Sequence, residues 1–89
     1  MFRHDSYLKR NFNKDGKNYF LSVESPEKEE ENVWWTRVSL QSPDKLIWSH
    51  RIGGIDGIQS ALLALQFARE LLESDGGFKF LGHDDLQLP

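Results

Sequence analysis

"GGIDGIQSALLALQFARELLES", residues 53–74, decides the fold. Upstream of it apolar residues recur with a period of 2; inside it the period changes to 3.6. At about 100° per residue, Ile58, Ala61, Leu62, Leu65, Ala68 and Leu72 fall in one stripe. Ala64, Phe67 and Leu71 widen that stripe on one flank, with Leu63 beyond them, while Gln59, Gln66, Glu70 and Glu73 keep to a narrow polar arc. Asp56 is suited to the N-cap, and Gln59 three residues later completes a capping-box pattern that satisfies two orphan amides. Gly76-Gly77 ends the segment as C-terminal glycines do. One long helix is therefore predicted over about 56–75, with an apolar face wider than a single small core requires.

Working back from the helix, the chain reads as strands. "SYLKRNFNKDGKNYFLSV" (6–23) places Asp15-Gly16 between two alternating runs, the pattern of a two-residue hairpin. Such a turn pairs Phe12 with Tyr19, Arg10 with Leu21 and Leu8 with Val23, and sets Leu8, Phe12, Tyr19, Leu21 and Val23 on one face. Lys14 facing Lys17 is the one unfavourable pair. Pro26 and the charges after it are expected to end the second strand. "NVWWTRVSLQ" (32–41) and "KLIWSHRI" (45–52) make two more, joined by a turn with Pro43 at its second position. An odd loop, Pro43-Asp44-Lys45, or a bulge would align Trp34, Val38, Leu40, Leu46, Trp48 and Ile52 on one face; the odd loop is the simpler expectation. Phe20, Val33, Trp35 and Ile47 then fall on the other face. After the helix, "FKFLG" adds a short fifth strand or packs as an extended tail. The expected architecture is α+β: a four-stranded antiparallel meander with one long helix across one face, in a single domain over residues 1–89.

Composition narrows the function classes. An 89-residue chain without cysteine has neither disulfides nor thiolate metal sites, which fits a reducing cytoplasm. No apolar run reaches a membrane span, and the first ten residues lack the apolar core of a signal peptide. Fourteen acidic against eleven basic residues give a net charge of −3, the wrong sign for counterion release from nucleic acid. The charge is uneven: "ESPEKEEE" (24–31) is acidic, whereas Arg3, Lys9, Arg10, Lys14 and Lys17 make the first seventeen residues basic.

Catalytic and cofactor motifs are missing. The "GGIDG" turn (53–57) matches no phosphate-binding fingerprint, and Asp56 puts a negative charge where an anion would sit. His4, His50 and His83 lack metal-ligand spacing, and no serine lies in a nucleophile elbow. No cofactor and no metal is expected. Trp34 and Trp35 must point to opposite faces. Trp34 joins the core face; Trp35 goes to the face the helix leaves bare, where Arg37 and the acidic segment Glu29, Glu30 and Glu31 supply a polar rim.

The second half resembles a family of small, uncharacterised bacterial proteins, domain of unknown function 6968. The resemblance is carried by "WSHRIGGIDGIQSALLALQFARELLE" (48–73), "FKFLG" (78–82) and "DLQLP" (85–89) in that order. It implies the same fold and a bacterial origin, and that Asp56 and Gln59 matter to the family; it brings no catalytic residues. The expectation for function is a non-enzymatic protein-binding module, of the immunity or antitoxin type that neutralises a basic toxin through electrostatic complementarity. Its partner-binding residues are expected to be Trp35, Arg37, Glu29, Glu30, Glu31, Leu63 and Phe67. The alternatives are a domain that self-associates as a homodimer through Leu63, Phe67 or Trp35, and a small-ligand binder or enzyme at the Gly53–Gly57 turn using His50 and Asp56.

Overall fold

The structure is a computed structural model that describes residues 7–89. Arg3 and His4 lie outside the described residues, so the basic N-terminal stretch is seen only from Lys9 onward.

Asp15 and Gly16 both take positive φ, 54° and 77°, as a two-residue hairpin turn with right-handed twist requires. The turn joins β1 (Tyr7–Lys14) to β2 (Lys17–Glu24) in the expected register, with Phe12 facing Tyr19, Arg10 facing Leu21 and Leu8 facing Val23. Lys14 does face Lys17, but its ammonium lies 3.0 Å from Asp75 and over the Phe78 ring. Tertiary contacts thus offset the local repulsion.

Beyond Pro26 the chain departs from the expected loop. Glu27–Glu30 forms a strand, β3, and a two-residue turn at Glu31-Asn32 returns the chain into β4 (Val33–Gln41). Asn32 sits at φ 63°, a left-handed conformation that asparagine tolerates. Both β2 and β3 pair with β4, and so does β5 (Leu46–Gly54). Residues 34 and 35 of β4 pair with β3 and β5, and residues 38–41 with β2 and β5, so β2 and β3 share one edge of β4. From Val23 to Glu27 four steps on one side match three from Val38 to Trp35, a bulge that accommodates Pro26. The sheet is therefore the expected meander of four positions, with its second strand broken into two segments.

The loop from β4 to β5 also differs. Gln41 pairs with Leu46 across an even loop closed by the Ser42 amide on the Lys45 carbonyl, 2.9 Å. Ile47 is then bulged, and Leu40 faces Trp48. The bulge, not an odd loop, restores the common face of Val38, Leu40, Trp48 and Ile52, and Leu46 is left exposed.

α1 (Gly57–Asp75) begins at Asp56, whose carboxylate accepts from the Gln59 amide at 2.7 Å. The Gln59 side chain accepts from Ile55 at 2.8 Å, one residue before the usual capping-box donor. The face turned to the sheet is Ser60, Ala64, Ala68 and Leu72. Its centre is about 70° round the helix from the centre of the stripe expected on hydrophobicity alone, with Ala68 and Leu72 common to both. Small side chains win because the helix comes very close to β5: a Cβ on Gly54 would lie 2.6 Å from the Ser60 nitrogen. The Ser60 hydroxyl, buried, donates to the Gly57 carbonyl and takes a 2.8 Å hydrogen bond from Thr36. In consequence Ile58 is 82% exposed, and Leu62 is exposed beside it.

The helix packs over β4 and β5, and the C-terminal tail covers β1 and β2. Phe78 packs edge-on to Tyr19 and Phe80 to Phe12, while Leu86 is buried in the same cluster. Among the described residues the tail pairs with the sheet only at Asn13, which exchanges two backbone hydrogen bonds with Lys79, so the expected fifth strand shrinks to one bridge there. Arg10 stacks on Phe80 and donates to the carbonyls of Leu86 and Gln87. Lys79 pairs with Asp84, and this hydrogen-bonded ammonium holds the Asp84 carboxyl below the ordinary range.

Candidate functional site

Strand alternation leaves one sheet face without helix or tail, and its side chains form the candidate site. Trp35 stands on that face opposite Gly53, where a Cβ would sit 3.2 Å from the indole. The indole nitrogen donates to Glu29 Oε1 at 2.9 Å, the Arg51 guanidinium lies 4.4 Å from the ring centre, and Arg51 reaches Glu29 Oε2 at 3.3 Å. Each contact is weak alone: the ion pair is solvated, and an exposed cation–π contact contributes about 0.5–1 kcal/mol. Together they hold one tryptophan, half-buried, in one orientation at a surface. Glu29 does this from the irregular step between Lys28 and Glu30, so the bulge in β3 aims its carboxylate.

Arg37 and Arg51 face each other across β4 and β5. Like charges in direct register are unfavourable, and the two guanidiniums diverge: Arg51 goes to Glu29, whereas Arg37 donates to Ser49 at 2.9 Å. Ser49 also shares a 2.8 Å hydrogen bond with Ser39. Phe20, the second aromatic of this face, carries the Lys9 ammonium 4.5 Å above its ring.

The seven residues expected from sequence to bind a partner are divided among three places. Trp35, Arg37 and Glu29 come together on the open face. Glu30 and Glu31 are exposed at the tip of the β3–β4 hairpin. Leu63 and Phe67 lie on the opposite side of the sheet, on the helix flank: Leu63 is 38% exposed, and Phe67 packs edge-on to His50 with centroids 5.0 Å apart. Arg51 belongs to the first group and escaped the sequence reading. Alternation along 45–52 carried the signal, because Arg51 is two residues from Ser49 on the Trp35 face.

At the Gly53–Gly57 turn the amides of Ile55, Gln59 and Ser60 donate to the Gln59 side chain, the Asp56 carboxylate and the Asp56 carbonyl, so the cap carboxylate stands where an anion would sit. Among the described residues no three His, Asp or Glu side chains gather as a metal site, and no helix is long and apolar enough to cross a membrane. A half-open hollow of about 190 Å³ between β1, Leu65 and the tail is mostly apolar, and an equally open one of about 750 Å³ lies beside the Ser42–Lys45 loop. No curated protein and no solved structure matches the chain. One family model does, over residues 7–88, reaching well beyond the C-terminal motifs into both hairpins. On that match the chain belongs to the family described as a domain of unknown function, DUF6968.

Proposed function

We propose that the chain is a non-enzymatic protein-binding module that docks the open face of its sheet, centred on Trp35, onto a basic protein. The observation that carries this reading is the tryptophan itself: half-buried on the open face, held by Glu29 and Arg51, and rimmed by charge. Tryptophans in such settings dominate binding energies, and fixing one beforehand lowers the entropy cost of association. The net charge of −3 and the exposed Glu30 and Glu31 beside it favour a basic partner. An immunity-type or antitoxin-like protein in the bacterial cytoplasm fits this combination, as does the absence of cysteine.

The test compares wild type with Trp35→Ala and with Glu30→Lys/Glu31→Lys as immobilised baits in extracts of the source organism. Glu29 stays intact in both, because it orients Trp35. A partner retained by wild type should bind Trp35→Ala about 30-fold more weakly, the equivalent of roughly 2 kcal/mol at a hot spot. The double charge reversal should slow association and remove most of its salt dependence. A partner held equally by Trp35→Ala would place binding elsewhere.

A further inference from the structure

A β-sheet edge is a row of unpaired amides and carbonyls, and proteins guard it with a covering segment or with charge. The outer edge of β1 is bridged by the tail at Asn13, and the Arg10 side chain holds the rest of the tail against that strand. The outer edge of β3 is short, four residues, all charged: Glu27, Lys28, Glu29 and Glu30. β5 has neither device. It spans nine residues and pairs only with β4, and among the described residues no other backbone group bonds it. Its bulge touches only the start, at Ile47. The one charge within it, Arg51, turns inward across β4 to Glu29 on β3 and leaves the edge bare.

From this edge we infer that β5 pairs with β5 of a second copy, antiparallel about a two-fold axis, to make one continuous sheet of the two chains. A second strand pairs with every outward group of such an edge, and a two-fold contact consumes the β5 edge of both copies, so the pairing closes at two chains. The faces of both copies match only in registers centred on a residue. Centring on Arg51 sets two arginines against each other, and centring on Ser49 sets Arg51 against Ile47. Centring on His50 places Arg51 against Ser49 of the second copy and Trp48 against its Ile52. The His50 register is the one assigned.

The axis stands perpendicular to the sheet, so both helices lie on the same side of it. His50 and Phe67, already in edge contact, would then line the seam with Leu63, which is otherwise exposed. On the other side the two β4 strands stand three strand spacings apart, about 14 Å. Two Trp35 sites would share one wide face.

The experiment is analytical ultracentrifugation of the purified chain from low micromolar to several hundred micromolar, alongside His50→Lys and His50→Glu. His50 is exposed in the single chain, so both variants should fold, which circular dichroism checks. Wild type should sediment at twice the chain's 10.4 kDa, each variant alone as a monomer, and an equimolar mixture of the two as a dimer. A wild type that stays monomeric throughout overturns the inference, and so do dimers of both variants alone. A mixture that fails to pair overturns the His50 register.

Discussion

Substituting Gly54 by alanine tests the close approach of helix to sheet, on which the orientation of α1 depends. The added methyl would lie 2.6 Å from the Ser60 nitrogen and 2.9 Å from its Cα, both backbone atoms of the helix's first turn. Gly54 is not among the glycines with positive φ, so alanine fits the backbone and the entire conflict is steric. Relief requires the first turn to lift from β5. Overpacking of this kind costs about 1–3 kcal/mol, and stretching the buried Thr36–Ser60 hydrogen bond adds about 1 kcal/mol. Against that, replacing glycine restricts the unfolded chain and returns about 0.4–1 kcal/mol. The net loss is about 2 kcal/mol, or roughly 8–16 °C in the melting midpoint of a domain this size. Thermal unfolding followed by circular dichroism measures it, with two neighbours as internal standards. A Cβ on Gly53 meets the Trp35 ring at 3.2 Å, a side chain that can shift, and one on Gly57 meets Pro26 at an ordinary 3.4 Å. The expected order of damage is Gly54→Ala, then Gly53→Ala, then Gly57→Ala near wild type. Gly54→Ala as stable as wild type would refute the close approach, and with it the explanation for which helix face is buried.

Three further outcomes follow from the same geometry. Deleting Phe78–Pro89 removes two buried side chains, Phe78 and Leu86, each stabilising by about 1.5–3 kcal/mol; the shortened chain should lose cooperative unfolding and bind a hydrophobic dye, and an unchanged midpoint would count against the tail as half of the core's cover. Ser60→Ala should cost about 1–3 kcal/mol by stranding the buried Thr36 hydroxyl, whereas Thr36→Val should cost less because the Ser60 hydroxyl keeps the Gly57 carbonyl, and adding Thr36→Val to Ser60→Ala should recover part of the loss; additive losses in urea unfolding would contradict the pairing. Asp84 titrates below its unfolded value because Lys79 hydrogen-bonds it, so its contribution is present above the ordinary carboxylate pKa and fades as pH falls through the lowered one. Asp84 is fully exposed, so the effect is small and local: NMR titration should show a depressed Asp84 midpoint that Lys79→Met returns to normal, and a midpoint unmoved by Lys79→Met would exclude the pair as the cause.

The open face shows why a candidate site can be half legible. Trp35 and Arg37 were readable because alternation along one strand assigns faces without knowing the neighbours. Glu29 was readable as a charge near them, but not as the group that orients the indole, because that depends on a bulge in a strand the sequence does not announce. Leu63 and Phe67 were readable as surplus apolar side chains. Which side of the sheet they occupy relative to Trp35 depends on the sheet lying between them.

Local chemistry by itself determined the Asp15-Gly16 turn and hence every pair of the first hairpin, and the ends of the helix at its Asp56 cap and Gly76. Those features depend on residues within a few positions of one another. Tertiary structure decided the rest. "EKEE" becomes a strand because residues 33–35 of β4 offer it an edge and Asn32 can turn the chain, not from any propensity of glutamate. The helix turns its small residues inward because Gly54 lets the backbones approach, which outweighs the burial of Ile58 and Leu62. The tail gives up strand pairing for packing, since Phe78 and Leu86 gain more from the half of the sheet that one helix cannot cover than from a longer ladder along β1.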